Sequence, residues 1–229
     1  MRAIQRTTGR RVTGPLASLA VMAGVTLATL LPVQARAEVN LITNPGNDLP
    51  LVAGEIPGWM ESVGANWTQR SVDPVPQAGA AYFFAGAVAH GELTQVVDLT
   101  GFADWIDGGA RTFDLSGYIR SWPQSPSDSA RVVVDLLDAG GTVLATQDTG
   151  ELSNSAEWQA LALAVMPPAG TRQARLTLVA QRYNGDNNDG YLDSLVLWPR
   201  VTNQQLGGSL AGVVPQAIEC RNKTRGTQV

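Results

Sequence analysis

The chain is divided into short segments in which apolar and polar residues partly alternate, with turn-forming residues between them. A period of two places every second side chain on the same face of a β-strand. The clusters of Gly, Pro, Asn, Asp and Ser between the segments favour chain reversals. This spacing predicts an all-β sandwich of antiparallel strands. The predicted strands are 39–43, 81–84, 93–99, 112–119, 131–137, 143–149, 158–165, 173–182 and 191–198.

Two segments carry their own local signals. In residues 100–108, Phe102, Trp105 and Ile106 have helical spacing and Gly108 is a stop signal, which predicts one or two helical turns over a sheet edge, with the aromatic side chains in the core. Residues 138–142 read Asp-Ala-Gly-Gly-Thr, which predicts a hairpin turn because Gly tolerates positive φ.

The N-terminus has the pattern of a secretory signal peptide. Basic residues precede an apolar run over 16–31, and Ala-Arg-Ala at 35–37 fits a cleavage site. A mature chain would start at Glu38 and be secreted or periplasmic. A membrane anchor is the alternative, disfavoured because the apolar run contains Gly24 and is shorter than the ~20 residues of a span. The basic residues are Arg2, Arg6, Arg10 and Arg11.

Cleavage would make the protein strongly acidic. Five of the 16 basic residues and none of the 20 acidic residues would be lost, leaving a net charge of −9. Nucleic acid and anionic lipid are therefore poor partners, whereas a neutral ligand, a cation or a basic partner is easier to accommodate.

Cys220 is the only cysteine, so an intrachain disulfide is excluded. Export without a disulfide is typical of a bacterial protein.

The C-terminal residues differ in composition from the rest. Residues 204–212 are rich in Gly, Gln and Ser, and 213–223 read as a strand with basic residues around Lys223. We expect a signal peptide over 1–37, a β-sandwich over 38–200, and a linker and basic tail over 201–229. The tail is either a short extension or the start of a further module, and an unpartnered strand favours the second.

The most concentrated polar loop lies directly before the last predicted strand. Residues 184–190 read Asn-Gly-Asp-Asn-Asn-Asp-Gly. Such a loop presents oxygen and amide groups at the end of a strand, which is typical of ligand or calcium loops in lectin-like sandwiches and also of a solvated turn.

The order of the short motifs is informative. It runs Asn-Leu-Ile-Thr-Asn-Pro-Gly-Asn at 40–47, Ile-Pro-Gly-Trp at 56–59, Gln-Val-Val-Asp-Leu at 95–99, Ser-Gly-Tyr-Ile-Arg at 116–120, a strand at Trp158, and Asp-Gly-Tyr-Leu-Asp at 189–193. Over residues 39–199 this order resembles the galactose-binding-like jelly-roll superfamily. Within it, the chain is most similar to F-box-associated sugar-recognition domains and bacterial carbohydrate-binding modules.

The resemblance implies a glycan site on the loops 122–129 and 184–189. Asp128 stands where the F-box-associated domains place a sugar-binding acid, whereas Asn187 and Asn188 stand where they place aromatic residues. Trp122 is the best stacking candidate, since the proline beside it excludes a central strand and a flat ring packs on a pyranose. The predicted ligand-binding residues are Trp122, Asp128, Tyr183, Asn187, Asn188 and Asp189.

The same resemblance implies a structural calcium ion where the first turn meets the last strand. Asn44, Asn47, Asp48 and Asp193 would supply the hard oxygen ligands that calcium requires. The alternative is an Asx-type turn with Asp193 facing solvent.

Catalytic patterns are weak in this sequence. A Ser-His-Asp triad needs a histidine base, and the only histidine, His90, lies in a Gly- and Ala-rich stretch with no Gly-x-Ser-x-Gly motif in the chain. The acidic residues allow a glycosidase pair by number alone. The sequence therefore predicts an exported, non-catalytic carbohydrate-binding module that binds a glycan, or alternatively a structural or adhesive sandwich that contacts another protein domain without binding sugar.

Overall fold

The computed structural model describes residues 39–109 and 112–200. The predicted signal peptide, linker and basic tail lie outside these residues. The described part contains ten strands, a 3-10 turn at Thr100–Phe102 and a short helix α1 at Ala103–Asp107. The strands are β1 Met60–Val63, β2 Thr68–Arg70, β3 Tyr82–Phe84, β4 His90–Asp98, β5 Thr112–Arg120, β6 Ser129–Leu137, β7 Val143–Asp148, β8 Gln159–Val165, β9 Gln173–Gln181 and β10 Tyr191–Arg200.

The strands form two five-stranded antiparallel sheets. Sheet A has the order β1-β4-β9-β6-β7, and sheet B has the order β2-β3-β10-β5-β8. Strands distant in sequence, such as β4 and β9 or β3 and β10, are therefore neighbours. The predicted all-β antiparallel sandwich is confirmed.

The core lies between the sheets and follows the alternation of the sequence. In β5, Phe113, Leu115, Gly117 and Ile119 are buried, while the residues that alternate with them are partly exposed. In β9, Leu176 and Leu178 point the same way into the core. Burial of each such side chain contributes about 1.5–3 kcal/mol, so the alternation fixes which face of each sheet turns inward.

The first predicted strand is wrong. Residues 39–43 form no strand: one main-chain hydrogen bond, from the Leu41 N–H to the Leu197 carbonyl at 2.9 Å, joins them to β10, and further hydrogen bonds to β10 come from the Asn40 side chain. Its Oδ1 accepts from the backbone N–H groups of Ile42 (3.1 Å) and Leu197 (2.9 Å), and its Nδ2 donates to the carbonyl of Leu195 (2.9 Å). Conversely, β1 and β2 were not predicted, since each is short, lies at a sheet edge and lacks alternating burial.

The local predictions for 100–108 and 138–142 are confirmed, with one correction. Ile106 is buried, and Phe102 packs edge-on against Phe113 at 5.3 Å between ring centroids. Trp105, in contrast, is 41% exposed, so it is not a core residue. The hairpin closes through the N–H of Asp138 and the carbonyl of Thr142 at 2.9 Å.

Candidate functional site

The structure brings the loops 122–129 and 184–189 together, as the sequence predicts. Gln124 Nε2 donates to the carbonyl of Asn184 at 3.3 Å, and Asn184 Nδ2 donates to the carbonyl of Ser125 at 3.2 Å. We call these two segments the loop end.

Asp128 is the centre of the loop end, and it is fully buried. Its Oδ1 accepts from the backbone N–H groups of Tyr183 (2.7 Å) and Asn184 (3.2 Å), and its Oδ2 accepts from that of Asp189 (2.8 Å). The expectation that Asp128 is a sugar-binding acid therefore needs correction, because its carboxylate is occupied in holding one loop against the other.

Asn188 and Asp189 are also turned inward. Asn188 Nδ2 donates to the carbonyl of Ala180 at 2.8 Å, and its backbone N–H donates to the carbonyl of Gly86. Asp189 accepts from the Tyr191 hydroxyl at 2.6 Å, and burial raises its carboxyl pKa above the ordinary value. Neither side chain is offered to a ligand at the surface, because the backbone and its neighbours use both.

Three of the predicted ligand-binding residues are accessible. Trp122 is 41% exposed, Tyr183 is 50% exposed, and Asn187 is exposed as well. The Tyr183 hydroxyl donates to Glu151 Oε2 at 2.7 Å, which raises the pKa of the phenol. The structure therefore divides the predicted site into an accessible part and an internal scaffold.

A groove of about 410 Å³ lies on the outer face of sheet A. Sequence reasoning missed it, because it depends on the register of strands that are far apart in sequence. Thr94 of β4 and Val133 of β6 both lie opposite Thr177 of β9, so the outward residues of three strands form one surface. The groove is lined by Met60, Ser62, Glu92, Thr94, Arg131, Val133, Asp135, Arg175, Thr177 and Val179.

Charged groups in the groove are held by partners. Arg175 Nη2 lies 2.7 Å from Asp135 Oδ2, and Arg131 Nη1 lies 3.0 Å from Asp148 Oδ2. In the register of β9, the level of Thr177 and its partner Thr94 lies between that of Arg175 and that of Val179, with which Arg131 pairs. None of the described residues that line the groove is aromatic. The groove therefore presents fixed hydrogen-bonding groups rather than a stacking platform.

The turn proposed for calcium places two carboxylates beside Gly46. A Cβ built on Gly46 would lie 2.7 Å from Asp48 Oδ2 and 3.3 Å from Asp193 Oδ1. Asp193 is fully buried, so the alternative in which it faces solvent is wrong. Burial raises its pKa to about 6, although the backbone N–H groups of Ala78, Gln77 and Ser194 oppose that shift.

The amide residues of this turn differ in their fit to a cation. The Asn47 Oδ1 is buried without a hydrogen-bond partner, which suits a metal ligand. The Asn44 side chain stabilises the turn, because its Oδ1 accepts a hydrogen bond from the Leu49 N–H and its Nδ2 donates one to the Pro57 carbonyl. Within residues 39–109 and 112–200, no group of three or more Asp, Glu, His or Cys side chains is placed to hold a metal. Amide and backbone oxygens would have to complete a calcium shell.

Comparison with solved structures identifies the fold. The chain superposes on the enzymatically active domain of bacteriophage CBA120 tailspike protein 4 with a TM-score of 0.52 and 15% identity, over 70% of this chain and 21% of that one. It superposes on Family 16 Carbohydrate Binding Module-2 with a TM-score of 0.50 and 18% identity, over 69% of this chain and 99% of that one. These superpositions show that the chain shares the β-sandwich fold of these two domains.

The remaining comparisons do not extend the assignment beyond the fold. A family 61 carbohydrate-binding module, solved in complex with β-1,4-galactotriose, has a TM-score of 0.48 and 16% identity over 71% of this chain and 99% of its own. The chain spans about a fifth of the tailspike domain it matches. No protein-family model matches the chain, and no curated protein matches it. The resemblance to F-box-associated domains stays a prediction.

In the described part of the chain, no helix has the length and hydropathy to cross a membrane.

Proposed function

We propose that this protein is an exported, non-catalytic carbohydrate-binding module whose ligand lies in the groove of sheet A. The observation that carries the proposal is the groove itself, a concave surface whose polar groups are already oriented by the sheet. Its volume is within the usual range for ligand sites, about 300–1,000 Å³. The chain also covers 99% of Family 16 Carbohydrate Binding Module-2, which supports a binding role.

The lining favours a neutral glycan that is rich in hydroxyl groups. Arg131 and Arg175 each have a carboxylate partner, so the groove has little free positive charge for an anionic chain. Glu92 Oε1 contacts His90 Nε2, and the Thr94 hydroxyl donates to the Met60 carbonyl, so each of these side chains offers an acceptor at a defined position. Groups that are held before a ligand arrives lose less conformational entropy on binding.

The accessible residues of the loop end form a second contact area in this proposal. Trp122 and Tyr183 can stack on sugar rings, and Asn187 can bond to hydroxyls. Asp128, Asn188 and Asp189 act indirectly, because they set the shape of the loops that carry these side chains.

Filling the groove should abolish glycan binding. Thr177→Arg places a long side chain on the floor of the groove, and we expect at least a roughly tenfold loss of affinity for whichever polysaccharide the wild type retains in affinity electrophoresis. Ser116→Arg is the matched control, since Ser116 lies on the outer face of sheet B. Both variants are checked for an unchanged melting temperature before affinities are compared.

The same experiment separates the alternatives. Intact binding by Thr177→Arg together with loss of binding by Trp122→Ala would move the site to the loop end. A wild type that retains no member of a broad polysaccharide panel would favour the structural or adhesive module, which contacts another protein domain without binding sugar.

A structural calcium ion belongs to the proposal as well. Asn47, Asp48 and Asp193 would hold it, together with the turn of Asn44, and it would pin the first turn to the last strand. The support is the buried and unpartnered Asn47 Oδ1, and the two carboxylates beside Gly46. A divalent cation would compensate the buried charge of Asp193.

Calcium should raise the melting temperature, and more so at neutral than at acid pH. Because the Asp193 pKa is raised to about 6 in the fold, the ion-free protein loses this group's contribution to stability as pH rises through that value. A bound cation would offset the loss, by about 2.7 kcal/mol at a hundredfold excess over Kd. Differential scanning calorimetry at about pH 5 and about pH 7, with calcium or with chelator, measures this. Identical melting curves with calcium and chelator, or an unchanged calcium response in Asp193→Ala, would remove calcium from the proposal.

Export and domain organisation complete the proposal. Residues 1–37 would direct the protein to the periplasm or the medium, residues 38–200 would form the module, and residues 201–229 would form a linker and a basic tail. The composition of the terminal segments supports this organisation.

A further inference from the structure

His90 is the only histidine of the chain and is the first residue of β4. It is on the outer face of β4, two residues before Glu92, which lines the groove. In the register of sheet A it lies opposite Gln181 of β9, which in turn lies opposite Ser129 of β6. Both nitrogens of the imidazole contact side-chain oxygens: Nδ1 lies 3.0 Å from Gln181 Oε1, and Nε2 lies 3.0 Å from Glu92 Oε1.

The orientation of the Gln181 amide is fixed by the backbone. Its Nε2 donates to the carbonyls of Ala89 and Arg182, each at 3.0 Å. A flipped amide would bring its carbonyl oxygen against those two carbonyl oxygens, which have no proton to donate. The oxygen of Gln181 therefore faces His90, and His90 must donate to it.

Two acceptors require two donors. A neutral imidazole has one N–H and one lone pair, so it can satisfy either Gln181 or Glu92 but not both. The imidazolium satisfies both. The Glu92 hydrogen bond is the main reason that the His90 pKa lies above its ordinary value, with Gln181 acting in the same direction and burial opposing it.

The other charged groups around His90 do not reverse the upward shift of its pKa. Arg131 on β6 lowers the His90 pKa by repulsion, but it is paired with Asp148. On β1, Glu61 accepts from the N–H of Trp67. Beyond β9, the Arg182 guanidinium donates to the carbonyl of Asp186. Across β6, Glu151 accepts from Ser129 and Tyr183.

We propose that protonated His90 is a positioning residue that holds Glu92 for glycan recognition, so that affinity falls as His90 loses its proton. The inference rests on the proposed function of the groove. His90 occupies Glu92 Oε1, which leaves Oε2 of the carboxylate to accept a sugar hydroxyl in the groove. Loss of the proton breaks one of the two contacts of His90, and the Glu92 side chain is then free to change rotamer.

The protonation state is tested first on the full mature chain without a tag, so that His90 gives the only imidazole signals. In an NMR titration we expect the His90 pKa above about 6.5, its ordinary value, and a decrease in the Glu92→Gln variant. A pKa at or below the ordinary value, or one that Glu92→Gln does not lower, would overturn the inference.

Affinity is then measured against pH, with the polysaccharide that the wild type retains best. We expect a roughly tenfold fall between about pH 6 and about pH 9, the size of one hydrogen bond to a charged group. His90→Gln, which cannot titrate, should give a flat profile with the lower affinity throughout. By linkage, saturating polysaccharide should raise the His90 pKa.

The outcomes distinguish the two proposals. Binding that is lost in Thr177→Arg but independent of pH in the wild type overturns the role of His90 and leaves the groove as the glycan site. Absence of binding to every polysaccharide at every pH overturns the proposed function, and the inference with it. A pH-dependent affinity that persists in His90→Gln also contradicts the inference.

Discussion

Replacing Gly190 by Ala is expected to destabilise the fold by about 3 kcal/mol or more, through overlap of a new methyl group with an immobile main chain. A Cβ at Gly190 would overlap the carbonyl oxygen of Ser129 and lie 2.8 Å from its carbonyl carbon. Ser129 is the first residue of β6 and Gly190 directly precedes β10, so neither main chain can move freely. Urea unfolding of the purified variant measures the loss.

Gly101→Ala is the matched control. A Cβ there meets no atom within 4 Å, and its backbone does not require glycine, so its stability should stay within a few tenths of a kcal/mol of wild type or rise slightly. Equal stability of Gly190→Ala and Gly101→Ala would show that the approach of residue 190 to β6 is looser than described.

Asp128→Ala is expected to cost about 3–5 kcal/mol of stability. The change removes one buried carboxylate and leaves three backbone N–H groups without an acceptor, those of Tyr183, Asn184 and Asp189. We expect the loop end to become accessible to proteases at concentrations of urea that leave the wild type intact. Thermal and urea unfolding give the energetic loss.

Two further variants make this test specific. Asp186→Ala removes an exposed carboxylate from the same loop, and its stability should match wild type. Asp128→Asn keeps the volume but offers one acceptor in place of two, so its stability should be intermediate. An Asp128→Asn protein with wild-type stability and no glycan affinity would restore the sugar-binding role that the sequence predicts for this residue.

The fold was predictable where burial alternates along a strand. In β5 and β9 the apolar residues recur at every second position, and the core side of each follows from that alone. The prediction failed at residues 39–43, where the Asn40 side chain makes two hydrogen bonds to β10 in place of the continuous main-chain pairing that the apolar pattern suggested. It also missed β1 and β2, whose few residues carry no periodic signal.

The candidate site was predictable only in part. The resemblance to sugar-recognising domains implied that Trp122 and the loop 184–189 lie at one end of the sandwich. It did not separate the buried Asp128 from exposed acids such as Asp186, since the two share residue type and loop context. The groove could not be predicted from the sequence, because it depends on the pairing of Thr94 with Thr177, which lie on strands that are far apart in the chain.

The way in which Asp128 holds the loop end also bears on how binding specificity can change. Its partners are main-chain N–H groups, which every residue except proline carries. Positions 183 and 184 can therefore exchange side chains while the anchoring hydrogen bonds persist. Selection, or a combinatorial library, can vary the chemistry of this surface without rebuilding its scaffold.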